Sequence, residues 1–262
     1  MRTAIAVQSC PAYADRRKAV RETWKRDVPN ETDFFFLVGA HADEPDVLTL
    51  ACGDGYEDCA AKQLAAIRRL RDYDHVFFCD DDTYVVPDRL MLCGYESADY
   101  MGCPCDVHEW RVVMAQGGAG FWLSKSAMGK MADGEIPDTK YSDRLVGKMA
   151  ADAGVALTAH PGFNCGKYDG DVGFCNLVPT RANRYVTTHF VSPAQMYKIH
   201  RHFREGVPLP PNRYVVRFGE LPVNVFETHG SWWCNYGKAV NGPFLYAHEA
   251  ERHAFESVSL CV

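Results

Sequence analysis

Along the first third of the chain, apolar residues fall in short blocks separated by polar stretches of helical pattern. Thr3 to Gln8 is an apolar run of strand length, and Asp33 to Val38 is a second. Between them, Ala14 to Arg26 is rich in Ala, Arg and Lys and predicts a helix. Cys59 to Arg71 carries Leu64, Ile67 and Leu70 at helical spacing, and His75 to Cys79 forms a third strand that stops abruptly at Asp80. This alternation predicts an α/β fold, a mostly parallel central sheet flanked by helices. Beyond residue 95 the pattern is mixed. Ala98 to Gly102, Trp110 to Met114 and Val155 to Ala159 read as strands, and Ser126 to Ala132 and Ser142 to Ala153 as helices. Gly117-Gly118-Ala119-Gly120 reads as a tight loop. After Glu205, the prolines Pro208, Pro210 and Pro211 mark a break before an aromatic tail at Trp232 and Trp233. The expected organisation is a body over residues 1–204 and an extension over 205–262 that packs on it.

Composition narrows the function. The 262 residues carry a formal net charge of −6, which argues against a protein that grips nucleic acid through its phosphates. A nucleotide partner would therefore be a small ligand, its phosphates neutralised locally. No run approaches the roughly 20 apolar residues of a membrane span, and the start lacks the apolar stretch of a signal peptide. The eleven cysteines show no paired Cys-x-x-Cys units of a zinc ribbon, while Cys10, Cys79 and Cys93 lie in apolar contexts suited to small core residues.

The most informative segment is His75-Val-Phe-Phe-Cys-Asp80-Asp81-Asp82-Thr83-Tyr84. Here an apolar strand delivers three carboxylates at its C-terminal end, where open α/β sheets bind ligands. Such crowding calls for a compensating cation, and Mg²⁺ or Mn²⁺ with donor phosphates suits the oxygen ligands. A solvated acidic turn is the plain alternative. An EF-hand is excluded by the missing glycine and glutamate, and an aspartyl-phosphate enzyme would place threonine where Tyr84 stands.

Five segments, in order, resemble glycosyltransferase family 31, which contains β1,3-galactosyltransferases, core 1 synthases and Fringe enzymes. Arg17-Lys-Ala-Val-Arg21-Glu-Thr23-Trp24 is similar to the family's Arg-x-Ala-Ile-Arg-x-Thr-Trp. Asp54-Gly-Tyr56 to Lys62 is similar to its Asp-x-Tyr-x-Asn-Leu-x-x-Lys, without the Asn-Leu pair. Asp80 to Val85 matches its Asp-x-Asp region, and Gly117 to Ser124 its Gly-Gly-Ala-Gly-Tyr-x-Leu-Ser. Thr188-His189-Phe-Val-Ser-Pro193-Ala-Gln-Met196 is similar to its late histidine segment. The resemblance covers residues 5–203 and leaves the tail outside.

That resemblance implies a GT-A fold and an inverting, metal-dependent transfer of a hexose such as galactose from a UDP-sugar to a hydroxyl of a glycan or glycosylated acceptor, through a β1,3 linkage. The implied metal ligands are Asp82 foremost, Asp80 and His189, with His229 as the fallback. Asp80 and Asp81 also face the donor. Asp143 in Tyr141-Ser142-Asp143 matches the second acid of the family's Glu-Asp-Val-x-x-Gly and takes the role of general base, with Glu135 and Asp138 as alternatives. Asp143 as a helix N-terminal acid is the structural alternative. Gln8 and Ser9 follow the first strand, where base and ribose would bind. Arg17 and Arg21 share one helix face, directed at the diphosphate or at solvent. Gly117 and Gly118 admit a sugar close to the backbone, or simply make a turn. Trp122, Trp232 and Trp233 suit either sugar stacking or a core.

Two rival functions stand beside this one: a nucleotide-sugar or glycan-binding module without catalysis, and a metal-dependent nucleotidyl or phosphoryl transferase. Ser142 in place of the family's first acid keeps the former open. The latter would show a phosphate-cradling loop with lysine after the first strand, and Ser9-Cys10-Pro11 is not one. A cytoplasmic enzyme and a Golgi-lumen catalytic domain without its anchor are both compatible with the sequence.

Overall fold

The computed structural model describes residues 1–40, 43–107, 112–165 and 185–205, together with the backbone of four strands between 213 and 244. Met1–His200 forms one compact unit and Arg201–Val262 another, the division falling inside a helix. In the first unit, strand β1 (Thr3–Gln8) leads into helix α1 (Ala14–Glu22), followed by β2 (Thr32–Val38) and β3 (Val47–Thr49). Helix α2 (Cys59–Leu70) then crosses to β4 (His75–Asp80), and a short β5 (Tyr84–Val85) and α3 (Pro87–Met91) follow. Next come β6 (Tyr100–Gly102), β7 (Pro104–Val107), β8 (Val112–Ala115) and β9 (Phe121–Ser124). Helices α4 (Lys125–Met131) and α5 (Ser142–Asp152) precede β10 (Leu157–Ala159), β11 (Phe163–Asn164) and β12 (Thr187–Thr188). Helix α6 (Pro193–Glu205) spans the division between the units.

The main sheet has seven strands in the order β10-β6-β9-β4-β1-β2-β3. β1 pairs in parallel with both β2 and β4, whereas β9 runs antiparallel between β4 and β6. The α/β architecture expected from the sequence is therefore present, with one reversed strand that the sequence pattern did not show. Alternate residues of β1 and β4 face opposite sides. Ala4, Ala6, Val76 and Phe78 join one core with Leu64, Ile67, Met128, Leu145 and Val146 of α2, α4 and α5. On the other side Phe77 packs at 5.3 Å from the Trp122 ring and 6.0 Å from Phe163. Both faces are covered, which is why the strands read as unbroken apolar runs rather than alternating ones.

Helix α1 is shorter than the sequence pattern suggested. Thr23 leaves the helical region (φ −117°, ψ −116°), its hydroxyl donates to Ala19 O at 2.6 Å, and a 3-10 turn over Trp24–Asp27 follows. Part of the expected strand from Trp110 to Met114 lies outside the described residues. No helix among the described residues is long and apolar enough to cross a membrane.

Charged residues tie α1 and the following turn to the loop before β3. Arg21 donates to Asp46 at 2.7 Å and also pairs with Glu44, and Lys25 pairs with Asp46. Burial alone would raise the Asp46 carboxyl, but the hydrogen bonds from Arg21 and Lys25 outweigh it and pull it from 3.8 down to about 2. A depressed carboxyl stabilises the fold fully above the unfolded value, and that contribution is lost as pH falls from about 4 toward 2. With Asp46 only 13% exposed, the shift corresponds to about 2 kcal/mol. Asp46→Asn should lower stability at pH 7 by about that amount, and the difference from wild type should shrink as pH falls from about 4 and vanish only below about pH 2 in denaturant titrations.

In the second unit, β13 (Arg213–Phe218), β14 (Leu221–Thr228), β15 (Ser231–Tyr236) and β16 (Ala239–Phe244) form an antiparallel meander in sequence order. The register of β15 against β16 shifts between Trp232 and Cys234.

Candidate functional site

The register places Gln8 of β1 opposite Asp80 of β4, so the loops after both strands open on the same edge of the sheet. At that edge lies a cavity of about 400 Å³. The acidic triplet, Ser9, Arg16, Asp54 and Lys62 are among the residues that line it.

Three segments distant in sequence build the acidic end of the cavity. Strand β12 pairs antiparallel with β5, Thr188 opposite Tyr84, and so brings His189 beside the triplet. The connection is stitched from both sides: Val191 N donates to Asp82 O at 2.8 Å, and His189 N to Asn164 O at 3.1 Å. The glycine loop joins through two hydroxyls, Thr83 donating to Gly118 O at 2.6 Å and Thr187 to Ala119 O at 2.5 Å. His189 Nε2 then lies 3.2 Å from Asp82 Oδ1 and 3.8 Å from Asp80 Oδ2.

The donor set fits a divalent cation. Ligands bound to one small ion at ~2.1 Å lie no more than about 4.2 Å apart, and both His189 separations fall inside that limit. One ligand atom from each of Asp80, Asp82 and His189 lies within 4.8 Å of the others. Electrostatics agree. Burial pushes the Asp80 carboxyl up to about 7, and Asp82 and Asp81 add to this against the pull of His189. Burial would also raise Asp82, yet the hydrogen bond and charge of His189 hold it below the ordinary carboxylate value. Burial opposes the charge of His189 in turn, and the two carboxylates raise it.

The His189 ring is held by packing as well as by Asp82, and its Nδ1 has no hydrogen-bond partner among the described residues. Phe190 stacks on one face at 3.9 Å, with its backbone at φ 57°, a left-handed conformation unfavourable for an aromatic residue. Gly118 meets the ring from another side, where a Cβ would come within 2.0–2.3 Å of three ring atoms. The space in front of Gly118 is thus filled by the imidazole, where the sequence offered the approach of a sugar or a plain turn as the reason for the glycine. Gly118→Ala should displace His189 and weaken Mn²⁺ binding, at an overpacking cost of about 1–3 kcal/mol; titration with Mn²⁺ and thermal melting would measure the two effects.

Asp81 turns the other way. Its carboxylate accepts from Ser9 Oγ at 2.8 Å and from Arg16 at 3.0 Å, and Arg16 also lies 3.4 Å from Asp82. Gln8 lines the cavity and donates to Gln63 at 2.6 Å. Arg17 and Arg21 are placed elsewhere. Arg17 is buried, bonded to Ser9 Oγ at 3.2 Å and paired with Glu44 at 2.8 Å, and Arg21 is bound to Asp46 and Glu44. Neither lines the cavity, so the shared helix face serves folding and the support of Ser9.

Besides His189, the basic groups that line the cavity among the described residues are Arg16 and Lys62. Lys62 is buried, donating to Ser9 O at 2.7 Å and to Asp54 at 2.6 Å. Asp54 also accepts from Gly39 N and Ala40 N, which gives the Asp54-to-Lys62 motif its physical meaning: it braces the ends of β1 and β2. Its spacing was visible in the sequence. Arg16 was not distinguished there from its helical neighbours.

Asp143 stands at the first turn of α5, where Gly117 N donates to it at 3.2 Å and Arg144 N at 2.8 Å. Burial raises its carboxyl despite both hydrogen bonds. It faces the glycine loop and is not among the residues lining the cavity beside the triplet. Glu135 and Asp138 are exposed in the loop between α4 and α5. Trp122 is fully buried, stacked at 3.9 Å on Tyr95, and belongs to the core. Trp232 and Trp233 lie on β15, and His229 lies outside the described residues.

No family model matches the chain. Among solved structures it is similar to WbbM, a bifunctional glycosyltransferase in its apo form, at 12% identity and TM-score 0.45, over 72% of this chain and 46% of that one. It is similar to the galactosyltransferase LgtC in complex with donor and acceptor sugar analogues, at 12% identity and TM-score 0.42, over 73% and 88% of the two chains. A third is the apo glycosyltransferase GlyE of Streptococcus pneumoniae, at 12% identity and TM-score 0.43, over 73% and 54%. The chain spans less than half the length of WbbM and about half that of GlyE. These likenesses concern the arrangement of strands and helices alone.

Proposed function

We propose that the chain is a GT-A glycosyltransferase that is inverting and divalent-metal-dependent. It moves a hexose, galactose or a similar sugar, from a UDP-sugar to an acceptor hydroxyl through a β1,3 linkage. The observation that carries this reading is the convergence of Asp80, Asp82 and His189 beside a cavity at the C-terminal edge of the sheet. The five ordered motif resemblances support it as well, and the β1,3 linkage and the galactose-like donor are what that family resemblance implies.

Asp82, Asp80 and His189 would hold Mn²⁺ or Mg²⁺, which when bound stabilises negative charge on the diphosphate. Gln8 and Ser9 border the place for uridine, with Ser9 oriented by Arg17 and Asp81. Arg16 sits within reach of the same charge. On the acceptor side, the Asp143 carboxylate takes the proton of the attacking hydroxyl. The acceptor oxygen forms its bond to the anomeric carbon from the face opposite the diphosphate, and the old C–O bond leaves its electron pair on UDP. Two backbone N–H groups fix the carboxylate, and its raised pKa makes it a stronger base than an exposed aspartate.

Ser142 favours a second reading, a UDP-sugar-binding module without turnover. Release of UDP from a panel of UDP-sugars with Mn²⁺ and simple glycoside acceptors separates the two. Metal-dependent release from one donor establishes the transferase. Tight metal-dependent UDP binding without release from any donor establishes the binding module, and pyrophosphate in place of UDP overturns both.

A further inference from the structure

Four aromatic residues are exposed among the described residues: Tyr13, Tyr56, Tyr141 and Phe190. Such rings are usually scattered or buried, so their distribution carries information. Tyr13, Tyr56 and Phe190 line the cavity, and Tyr141 meets Tyr56 edge-to-face at 6.1 Å between centroids. Tyr56 is 66% exposed and Tyr141 38%, so neither ring is consumed by the core.

The Tyr56–Tyr141 pair is fixed in place. Lys140 Nζ lies 5.1 Å from the centre of the Tyr56 ring and 5.7 Å from that of Tyr141, and it is held by Glu57 at 2.9 Å. Ala60 N donates to Lys140 O at 3.0 Å, tying this loop to the first turn of α2. Arg144 adds a guanidinium 4.9 Å from the Tyr141 ring centre. Two residues beyond Tyr141 stands Asp143, with its carboxylate fixed by Gly117 N. One ring of the pair therefore borders the cavity, while the other belongs to the residue that caps the helix carrying the candidate base.

The geometry points to the Tyr56–Tyr141 pair as the acceptor platform, on which a neutral pyranose lays its C–H face so that one of its hydroxyls reaches Asp143. A pyranose with several axial C–H groups on one side presents a slightly positive apolar face, which complements the negative face of a tyrosine ring. Tyr56 gives continuity with the donor cavity, as transfer between two sugars requires. The charge of Lys140 is balanced by Glu57. This inference rests on the transferase reading for its purpose, but the platform can be tested without turnover.

The probes are methyl β-galactoside, methyl β-glucoside and methyl N-acetyl-β-glucosaminide, followed by saturation-transfer NMR with the protein alone and with UDP and Mg²⁺. At least one glycoside should receive saturation chiefly at the protons of one ring face. Tyr141→Ala should weaken its binding about tenfold, Tyr141→Phe should retain it, and the UDP affinity of Tyr141→Ala should stay within about twofold of wild type. Saturation of no glycoside by wild-type protein overturns the platform, as does unchanged affinity in Tyr141→Ala. A folded protein that binds glycosides through Tyr141 but never binds UDP would overturn the transferase reading and leave the platform standing.

Discussion

Asp82→Ala should abolish metal-dependent UDP binding while leaving the fold intact. Asp82 makes the shorter of the two carboxylate contacts to His189, and its other ion pair among the described residues is with Arg16. Its removal leaves one carboxylate and one imidazole and takes away the ligand charge that holds the cation before the diphosphate arrives. Mn²⁺ affinity should fall by more than about 100-fold, beyond what losing an outer-shell partner costs. The heat of UDP binding in the presence of Mn²⁺ should drop to its metal-free level. Thermal melting should change little, because the variant also removes one member of a crowded acidic group. Undiminished Mn²⁺ affinity would remove Asp82 from the site.

Asp143→Asn should separate binding from chemistry. The amide keeps the shape of the carboxylate and an oxygen that accepts from Gly117 N, but it takes no proton at neutral pH. Turnover should fall by about 10²–10⁴-fold, with UDP affinity unchanged within about twofold. The pH profile should respond as well. In the wild type, activity should decline on the acid side as Asp143 protonates, with a midpoint above the ordinary carboxylate value of 3.8 because burial raises this group. That limb should disappear from the residual activity of the variant. Unaltered turnover would move the base to another carboxylate, Glu135 or Asp138 being the next to test.

The core strands and the triplet were legible because each is local. Thr3–Gln8 is an apolar run whose ends are marked by polar residues, and β1 has those bounds. Strand β4 ends at the first aspartate of the triplet. Helix α2 follows its Leu64, Ile67 and Leu70 spacing. Reversal of β9 was not legible: four residues after a glycine turn carry no sign of direction, and only pairing with β4 and β6 sets it. Nor did the three-residue β3 or the two-residue β5 and β12 have enough length for a periodic pattern, although the last two place His189.

Site residues divide along the same line. Asp80 and Asp82 were readable from one segment, and motif resemblance supplied His189 more than 100 residues away. The roles of Arg17 and Arg21 depended on Glu44 and Asp46, whose approach to α1 is a tertiary fact with no local signature. Arg16, one position earlier, reaches the triplet because α1 turns its side chain toward the end of β4. Gly118 illustrates the limit further. Its need for a bare backbone was evident, but the group that occupies the space, the His189 ring, appears only when the chain is folded.

The most direct test of the metal-nucleotide site is calorimetric titration of UDP into the wild-type protein with Mn²⁺ and again with excess EDTA. Saturable binding with Mn²⁺ that is lost in EDTA is the predicted result. Equal binding in both conditions, or none in either, would contradict the assignment of Asp80, Asp82 and His189 as the metal site for a nucleotide diphosphate.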